Sequence, residues 1–208
     1  MRIPKHVGII PDGNRRWAVE NGLKKDQGYE KGLEAGLKSF LKCKDLNISE
    51  VTYYGFTKDN TKRPKVQTTA FTRACIDAVN LISAYDCEIL VVGNKNSKVF
   101  PQELKDFTKR RVFGKGGIKV NFLVNYSWEW DLNILNKTNS KNVINSSEVS
   151  RIDLIIRFGG MRRLSGFLPV QSVYSDFYVL ENLWPNYKDE DILNALDWYN
   201  KQDITLGG

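Results

Sequence analysis

The chain has 208 residues, of which 41% are hydrophobic and 26% charged, and its formal charge is +7. That length suits one domain with a sizeable core, and the composition is ordinary for a globular protein. No run of about 18 apolar residues occurs, which excludes a membrane-spanning helix, while the basic excess leaves nucleic acid, an anionic membrane or phosphorylated small molecules as partners.

In chain order, MRIPKHVG has no apolar stretch of the signal-peptide kind and leads into a short buried strand, His6 to Ile10. Pro11, Asp12 and Gly13 break that strand, and a helix pattern begins near Asn14. Tyr29 to Leu46 carries Leu33, Leu37, Phe40 and Leu41 at helical spacing, an amphipathic helix. Glu50 to Phe56 is β-branched and aromatic and is predicted as a strand. The polar loop TKDNTKRP follows, and Pro64 starts a helix from about Val66 to Ser83. Cys87 to Gly93 is a nearly continuous apolar run, as expected of a buried parallel strand.

Pro101 to Val112 is predicted helical and Ile118 to Asn125 a strand. The densest basic cluster, Lys109 to Lys119, falls on that helix end and its loop, a solvated face. Asp131 to Ser150, rich in Asn, Ser and Lys, predicts a short helix and an exposed loop. Asp153 to Arg157 is a strand, FGGMRRLSGF a second Gly-plus-Arg loop, Ser175 to Leu180 the last strand, and Lys188 to Asn200 the last helix. Alternating strands and helices predict an α/β fold: one domain over residues 1–208, with a mostly parallel sheet flanked by helices. Cys43, Cys75 and Cys87 form no C-x-x-C and suit a reduced, cytoplasmic protein.

In parallel sheets ligands bind at the carboxyl ends of the strands. The polar segments Asp12 to Arg16, Thr57 to Arg63 and Arg157 to Ser165 stand there, so three loops converge on one edge. Asp12 is a hard oxygen ligand for Mg²⁺, and the helix start beyond it attracts phosphate. Arg15, Arg16, Lys25, Arg63, Arg157, Arg162 and Arg163 supply cations, and the arginines can fork onto phosphate oxygens. Thr57 adds a hydroxyl and Asn60 an amide. The one histidine, His6, lies inside a strand and is predicted to be structural. No G-x-S-x-G, Walker A loop, zinc spacing or nucleic-acid module appears. Cations around one or two carboxylates suit diphosphate groups, whose departure Mg²⁺ assists as a Lewis acid.

HVGIIPDGNRRWA, YGFTKDNTKRP, IIRFGGMRRLSGF and SDFYVLENLWPNY occur in that order, and in them the chain resembles the cis-prenyltransferases of the undecaprenyl diphosphate synthase type. The resemblance, from His6 to about Asn200, implies a homodimeric isoprenyl diphosphate synthase with at most peripheral membrane contact. Each subunit would hold an allylic diphosphate and isopentenyl diphosphate under a hydrophobic tunnel. It implies that Asp12 is the metal-binding catalytic aspartate and that Asn60 occupies the proton-accepting position. Gly13, Asn14, Arg15, Arg16 and Lys25 would hold the allylic diphosphate, with Trp17 and Tyr29 beside its chain. Thr57, Lys58, Asp59, Thr61 and Arg63 would belong to the substrate loop. Arg157, Arg163, Leu164 and Ser165 would bind the second diphosphate, and Asp176 would be a second metal ligand.

Several residues depart from the family pattern. Lys25 replaces an arginine, Tyr29 a common histidine, Met161 a glutamate and Gly166 an asparagine. Ser127-Trp128-Glu129 replaces Gly-Gly-Arg, the tail reads DITLGG where Arg-x-Gly is common, and Trp130 to Val149 is shorter than in long-chain members. The changes gather near the second diphosphate and the dimer contact. The expectation is a short-chain product, with Trp128, Phe71 and Phe122 near the tunnel. Head-to-middle coupling of two allylic diphosphates and a non-catalytic subunit are the alternatives.

Overall fold

In the computed structural model, which describes residues 2–133 and 144–203, seven strands form one sheet in the order β4-β3-β5-β2-β1-β6-β7. The strands are β1 (His6–Ile10), β2 (Glu50–Tyr54), β3 (Cys87–Val92), β4 (Arg111–Phe113), β5 (Ile118–Leu123), β6 (Leu154–Arg157) and β7 (Asp176–Val179). All neighbours run parallel except β3 and β4. The helices are α1 (Asn14–Glu20), α2 (Gly28–Asp45), α3 (Lys65–Ile82), α4 (Trp128–Leu132) and α5 (Asp189–Asn200).

Strand alternation divides the core in two. Val7, Ile9, Val51, Tyr53, Ile89, Val91, Val120 and Phe122 face α2, α3 and α5 in the larger cluster. Ile10, Leu90, Val92, Leu123 and Ile155 face the other way, against Tyr126, Val149, Ile152, Phe167 and Leu168. The three long helices therefore share one face. Irregular segments around 144–152 and 164–172 cover part of the other face, because the links from β5 to β6 and from β6 to β7 contain no long helix among the described residues.

Three expectations change. The segment predicted as one helix from Pro101 to Val112 forms a 3-10 turn, Gln102–Thr108, and then β4, an antiparallel edge strand. Strand β2 ends two residues early, and the chain from Gly55 to Thr57 turns across to Tyr126, whose carbonyl accepts Lys58 N–H at 2.9 Å. Ile144, Ser146 and Val149 are buried rather than exposed, since the buried Asp131 carboxylate accepts from Ser146 N (2.8 Å), Ser146 Oγ (2.7 Å) and Tyr126 Oη (2.8 Å). Residues 134–143 lie outside the described residues.

His6 is structural, as expected. It is buried, with Nδ1 3.0 Å from the Ser150 carbonyl and Nε2 2.8 Å from Thr52 Oγ1. Asn121 Nδ2 joins this network through Thr52 and Glu50, and Ser150 Oγ donates to Glu50 at 2.5 Å. A buried polar cluster of this kind costs little because its members satisfy one another.

Candidate active site

The site begins where β1 ends. Gly13 takes φ +112, a conformation that disfavours side chains, and a Cβ there would stand 2.8 Å from Leu183. The Asp12 carbonyl accepts Trp184 N–H at 3.0 Å, so the loop is pinned from the far end of the chain. Asn14 Nδ2 donates to the Pro11 carbonyl at 3.0 Å. Two residues into α1, Arg16 donates to the Gly159 carbonyl at 2.7 Å and stands 3.8 Å from Asp12 Oδ1. Arg15 reaches Gln67 Oε1 at 3.3 Å.

Arg157, the last residue of β6, is the buried centre of the cluster. Its Nη2 donates to Asp12 Oδ2 at 2.9 Å, and its Nη1 donates to Ser165 Oγ at 3.0 Å and to the Arg163 carbonyl. Its side chain is 5% exposed against 38% for that of Asp12, so the arginine is fixed and the carboxylate faces solvent. Ser165 sits at φ +54 and its carbonyl accepts Tyr54 Oη at 2.7 Å. Sequence reasoning missed Tyr54. The period-2 alternation of β2, which sends Tyr53 to the helix side and Tyr54 opposite, is the signal that would have found it.

In the second loop Asn60 Oδ1 accepts Thr57 N–H at 2.9 Å, closing a tight turn. Asp59 is exposed and pairs with Lys62 at 2.7 Å, which holds its carboxyl below the usual carboxylate range. Arg63 donates to Tyr29 Oη at 2.9 Å. Burial pushes the Tyr29 phenol above its ordinary value despite that arginine, so the hydroxyl stays neutral.

Around these groups opens a polar cavity of about 710 Å³. Asp12, Gly13, Asn14, Arg15, Arg16, Lys25, Tyr29, Thr57, Asp59, Asn60, Arg63, Arg157, Arg163 and Ser165 line it, as the three converging loops predict. Tyr54, Glu20 and Met161 line it as well. Beside it, between α2, α3 and the sheet, lies an apolar cavity of about 80 Å³ bounded by Leu33, Leu37, Phe71, Cys75, Phe122 and Trp184 among others.

Other predicted residues are not brought there. Trp17 turns its indole to Asn186 Oδ1 (2.8 Å) and lines neither cavity. Thr61 donates back to the Lys58 carbonyl at 2.7 Å, and neither Lys58 nor Thr61 faces the cavity. Leu164 packs on the smaller core cluster. Trp128 lies against Gly166 and Trp130 against Tyr126, so neither narrows the apolar cavity.

Asp176 stands apart from these groups within the chain. It pairs with Leu154, which pairs with Val7, so it stands level with Val7 at the amino end of the sheet. From Val7 the strand runs on for three residues to Ile10, about 10 Å at about 3.3 Å each, and Asp12 lies beyond that end. Within the chain Asp176 binds Arg2 at 3.2 Å instead. Glu181, just past β7, does reach the loop region: it pairs with Arg162 at 2.8 Å and lies against Gly160. Of the DITLGG tail, residues 204–208 lie outside the described residues.

No group of three or more His, Cys, Asp or Glu side chains able to hold a metal occurs among the described residues. The Asp12 carboxylate, facing a cavity lined mostly by cations, is a donor that fits Mg²⁺, which takes one or two carboxylates and completes its shell with phosphate oxygens and water. Bound there, Mg²⁺ would supply Lewis-acid stabilisation of a departing diphosphate.

The chain has relatives along its whole length. The family model "Prenyltransf: Putative undecaprenyl diphosphate synthase" matches residues 10–207. An isoprenyl transferase of Thermotoga maritima is 31% identical over 229 residues, covering 100% of this chain and 98% of that one. A ditrans,polycis-undecaprenyl-diphosphate synthase ((2E,6E)-farnesyl-diphosphate specific) of Buchnera aphidicola is 28% identical, covering 98% and 91%. Among solved structures, lavandulyl diphosphate synthase from Lavandula x intermedia, in complex with dimethylallyl diphosphate, shares the fold with a TM-score of 0.83. It is 21% identical over 99% of this chain and 98% of that one.

Proposed function

The chain belongs to the undecaprenyl diphosphate synthase-like prenyltransferases, and on that premise we propose that it condenses an allylic diphosphate with isopentenyl diphosphate to a short-chain isoprenyl diphosphate, dependent on Mg²⁺. The observation that carries this is the pairing of cavities: a polar one in which the part-exposed Asp12 carboxylate lies against the buried Arg157, sharing part of its wall with a small apolar one.

Arg15, Arg16 and Lys25 hold the allylic diphosphate, and Gly13 and Asn14 shape the loop beneath it. Asp12 would hold the metal. Arg157, Arg163 and Ser165 take the diphosphate of the second substrate, with Arg157 prepositioned by its three contacts. The allylic C–O bond breaks with its electron pair leaving on diphosphate, the new C–C bond forms, and a proton is lost from the second substrate. Thr57 and Asn60 line the same cavity, and in this reading they stand beside the departing proton. Cationic walls placed in advance around the diphosphates strengthen each of these interactions. The protein would work as a homodimer in the cytoplasm. No described helix is long and apolar enough to cross a membrane.

A second reading has its own support. Trp128 packs against Gly166, where a Cβ would lie 2.9 Å from the indole, so the loop after Ser165 is rebuilt around a bulky ring. A second site altered in this way suits a different second substrate, as in head-to-middle coupling of two allylic diphosphates.

The test is to incubate the protein with Mg²⁺ and dimethylallyl, geranyl or farnesyl diphosphate, each with and without isopentenyl diphosphate. The dephosphorylated alcohols are identified by mass spectrometry, with Asp12→Ala as control. Products that need isopentenyl diphosphate establish regular condensation, and products from an allylic diphosphate alone establish irregular coupling. No product from any pairing overturns both.

A further inference from the structure

In the loop after β6, Ser165 sits at φ +54, a left-handed conformation that a residue with a side chain keeps only where its neighbours hold it. Gly166 continues the turn at φ +81. Two side chains hold Ser165. Arg157 donates to its Oγ at 3.0 Å, and Tyr54 Oη donates to its carbonyl at 2.7 Å.

Strand register brings these two donors together. In the sheet β1 lies between β2 and β6. Arg157 pairs with Ile10, and Tyr53 with Ile9, so Tyr54, Ile10 and Arg157 stand at one level at the carboxyl end of the sheet. Parallel neighbours at one level point to the same face; Ile10 belongs to the smaller core cluster and Tyr54 packs against it. Tyr54 therefore reaches past the end of β1 to the loop that Arg157 holds from the other side. Its ring lies 5.2 Å from Phe167 and edge-on to Tyr126 at 6.3 Å, which fixes the direction of the hydroxyl. Burial pushes that phenol above its ordinary value, so it keeps its proton and stays a donor. Tyr54, Arg157 and Ser165 all line the polar cavity.

We propose that Tyr54 is a positioning residue for the second diphosphate: its hydroxyl holds the Ser165 carbonyl and so keeps Ser165 Oγ on Arg157 at the cavity wall. It acts through Ser165 and touches no reacting atom. The inference rests on the reading of Arg157, Arg163 and Ser165 as the second diphosphate site. Without the bond from Tyr54, Ser165 relaxes toward negative φ and its hydroxyl leaves Arg157. The guanidinium then keeps only Asp12 and the Arg163 carbonyl.

The experiment is steady-state kinetics in Mg²⁺, with isopentenyl diphosphate and the allylic diphosphate that gives product varied in turn. The wild-type chain is compared with Tyr54→Phe, Ser165→Ala and the double variant. Tyr54→Phe keeps the ring against Phe167 and Tyr126 and removes only the oxygen. Loss of one such hydrogen bond raises the KM for isopentenyl diphosphate about three- to tenfold, while kcat and the allylic KM change less than about twofold. Those two constants also report that the variant is folded. Because Tyr54 acts through Ser165, its removal from the Ser165→Ala chain raises that KM by less than about twofold more.

Three results each overturn the inference alone: an isopentenyl KM that Tyr54→Phe leaves unchanged, a rise shared equally by the allylic KM, or effects that multiply in full in the double variant. No isopentenyl-dependent product from the wild-type chain overturns the reading of the second site, and this inference with it.

Discussion

Asp12→Asn keeps the shape of the side chain and removes its charge, which isolates the electrostatics of the cluster. Asp12 Oδ2 lies 2.9 Å from Arg157 and Oδ1 lies 3.8 Å from Arg16. Opposite unit charges 4 Å apart attract by about 4 kcal/mol near a protein surface and about 1 kcal/mol in water. The Asp12 side chain is 38% exposed, so screening brings the relevant value to about 1–2 kcal/mol. A diphosphate without metal must compete with this carboxylate for Arg157. In the variant that competition disappears, and metal-free inorganic pyrophosphate binds about five- to thirtyfold tighter. With Mg²⁺ the order reverses, because the wild-type carboxylate becomes a ligand to the ion while the amide gives it no charge. Calorimetric titration with pyrophosphate, in chelator or in Mg²⁺ at fixed ionic strength, reads both arms. Metal-free binding no tighter in Asp12→Asn, or an equal gain from Mg²⁺ in both proteins, refutes the reasoning.

Three other outcomes are expected. Arg157→Lys loses the fork that holds Asp12, Ser165 and the Arg163 carbonyl together. Its kcat/KM for isopentenyl diphosphate drops about 100-fold, measured by product formation at saturating allylic diphosphate. A Cβ on Gly159, at φ +81, would stand 2.3 Å from Arg16 Nη2 and 3.2 Å from the Asp12 carbonyl, so Gly159→Ala lowers stability by about 1–3 kcal/mol, read from the urea midpoint. Burial holds His6 below its ordinary value of 6.5. His6 is therefore neutral when folded and gains a proton on unfolding, so its contribution is complete above about pH 6.5 and declines as pH falls below it. Urea midpoints at pH 7.5 and 5.5 show that decline, and His6→Asn flattens it.

The site was legible because its pieces are local. In IIPDGNRRWA the strand, the breaker and the helix start follow one another, so Asp12, Arg15 and Arg16 fall at a strand end without knowledge of the fold. The same holds for Thr57 to Arg63 after β2 and for Arg157 to Ser165 after β6. The position of Asp176 was not legible, for the opposite reason. Its neighbourhood was taken from a motif, whereas its level in the sheet is set by pairing with Leu154, and that pairing puts it at the amino end beside Arg2. The direction of Trp17 was not legible either, since its place on α1 sends the indole to Asn186 rather than to the cavity lining.

Residue order alone therefore determined most of the strands and helices, though not the edge strand β4, and which polar loops follow strand ends, because hydrophobic period and turn residues act over a few positions. The partners needed the tertiary structure. The Arg157–Asp12 pair joins residues 145 apart, and the packing of Tyr29 with Phe71 and Arg63 draws on α2, α3 and the loop between β2 and α3. Such contacts depend on strand register and helix rotation, which are set only when all the faces of the core are buried together.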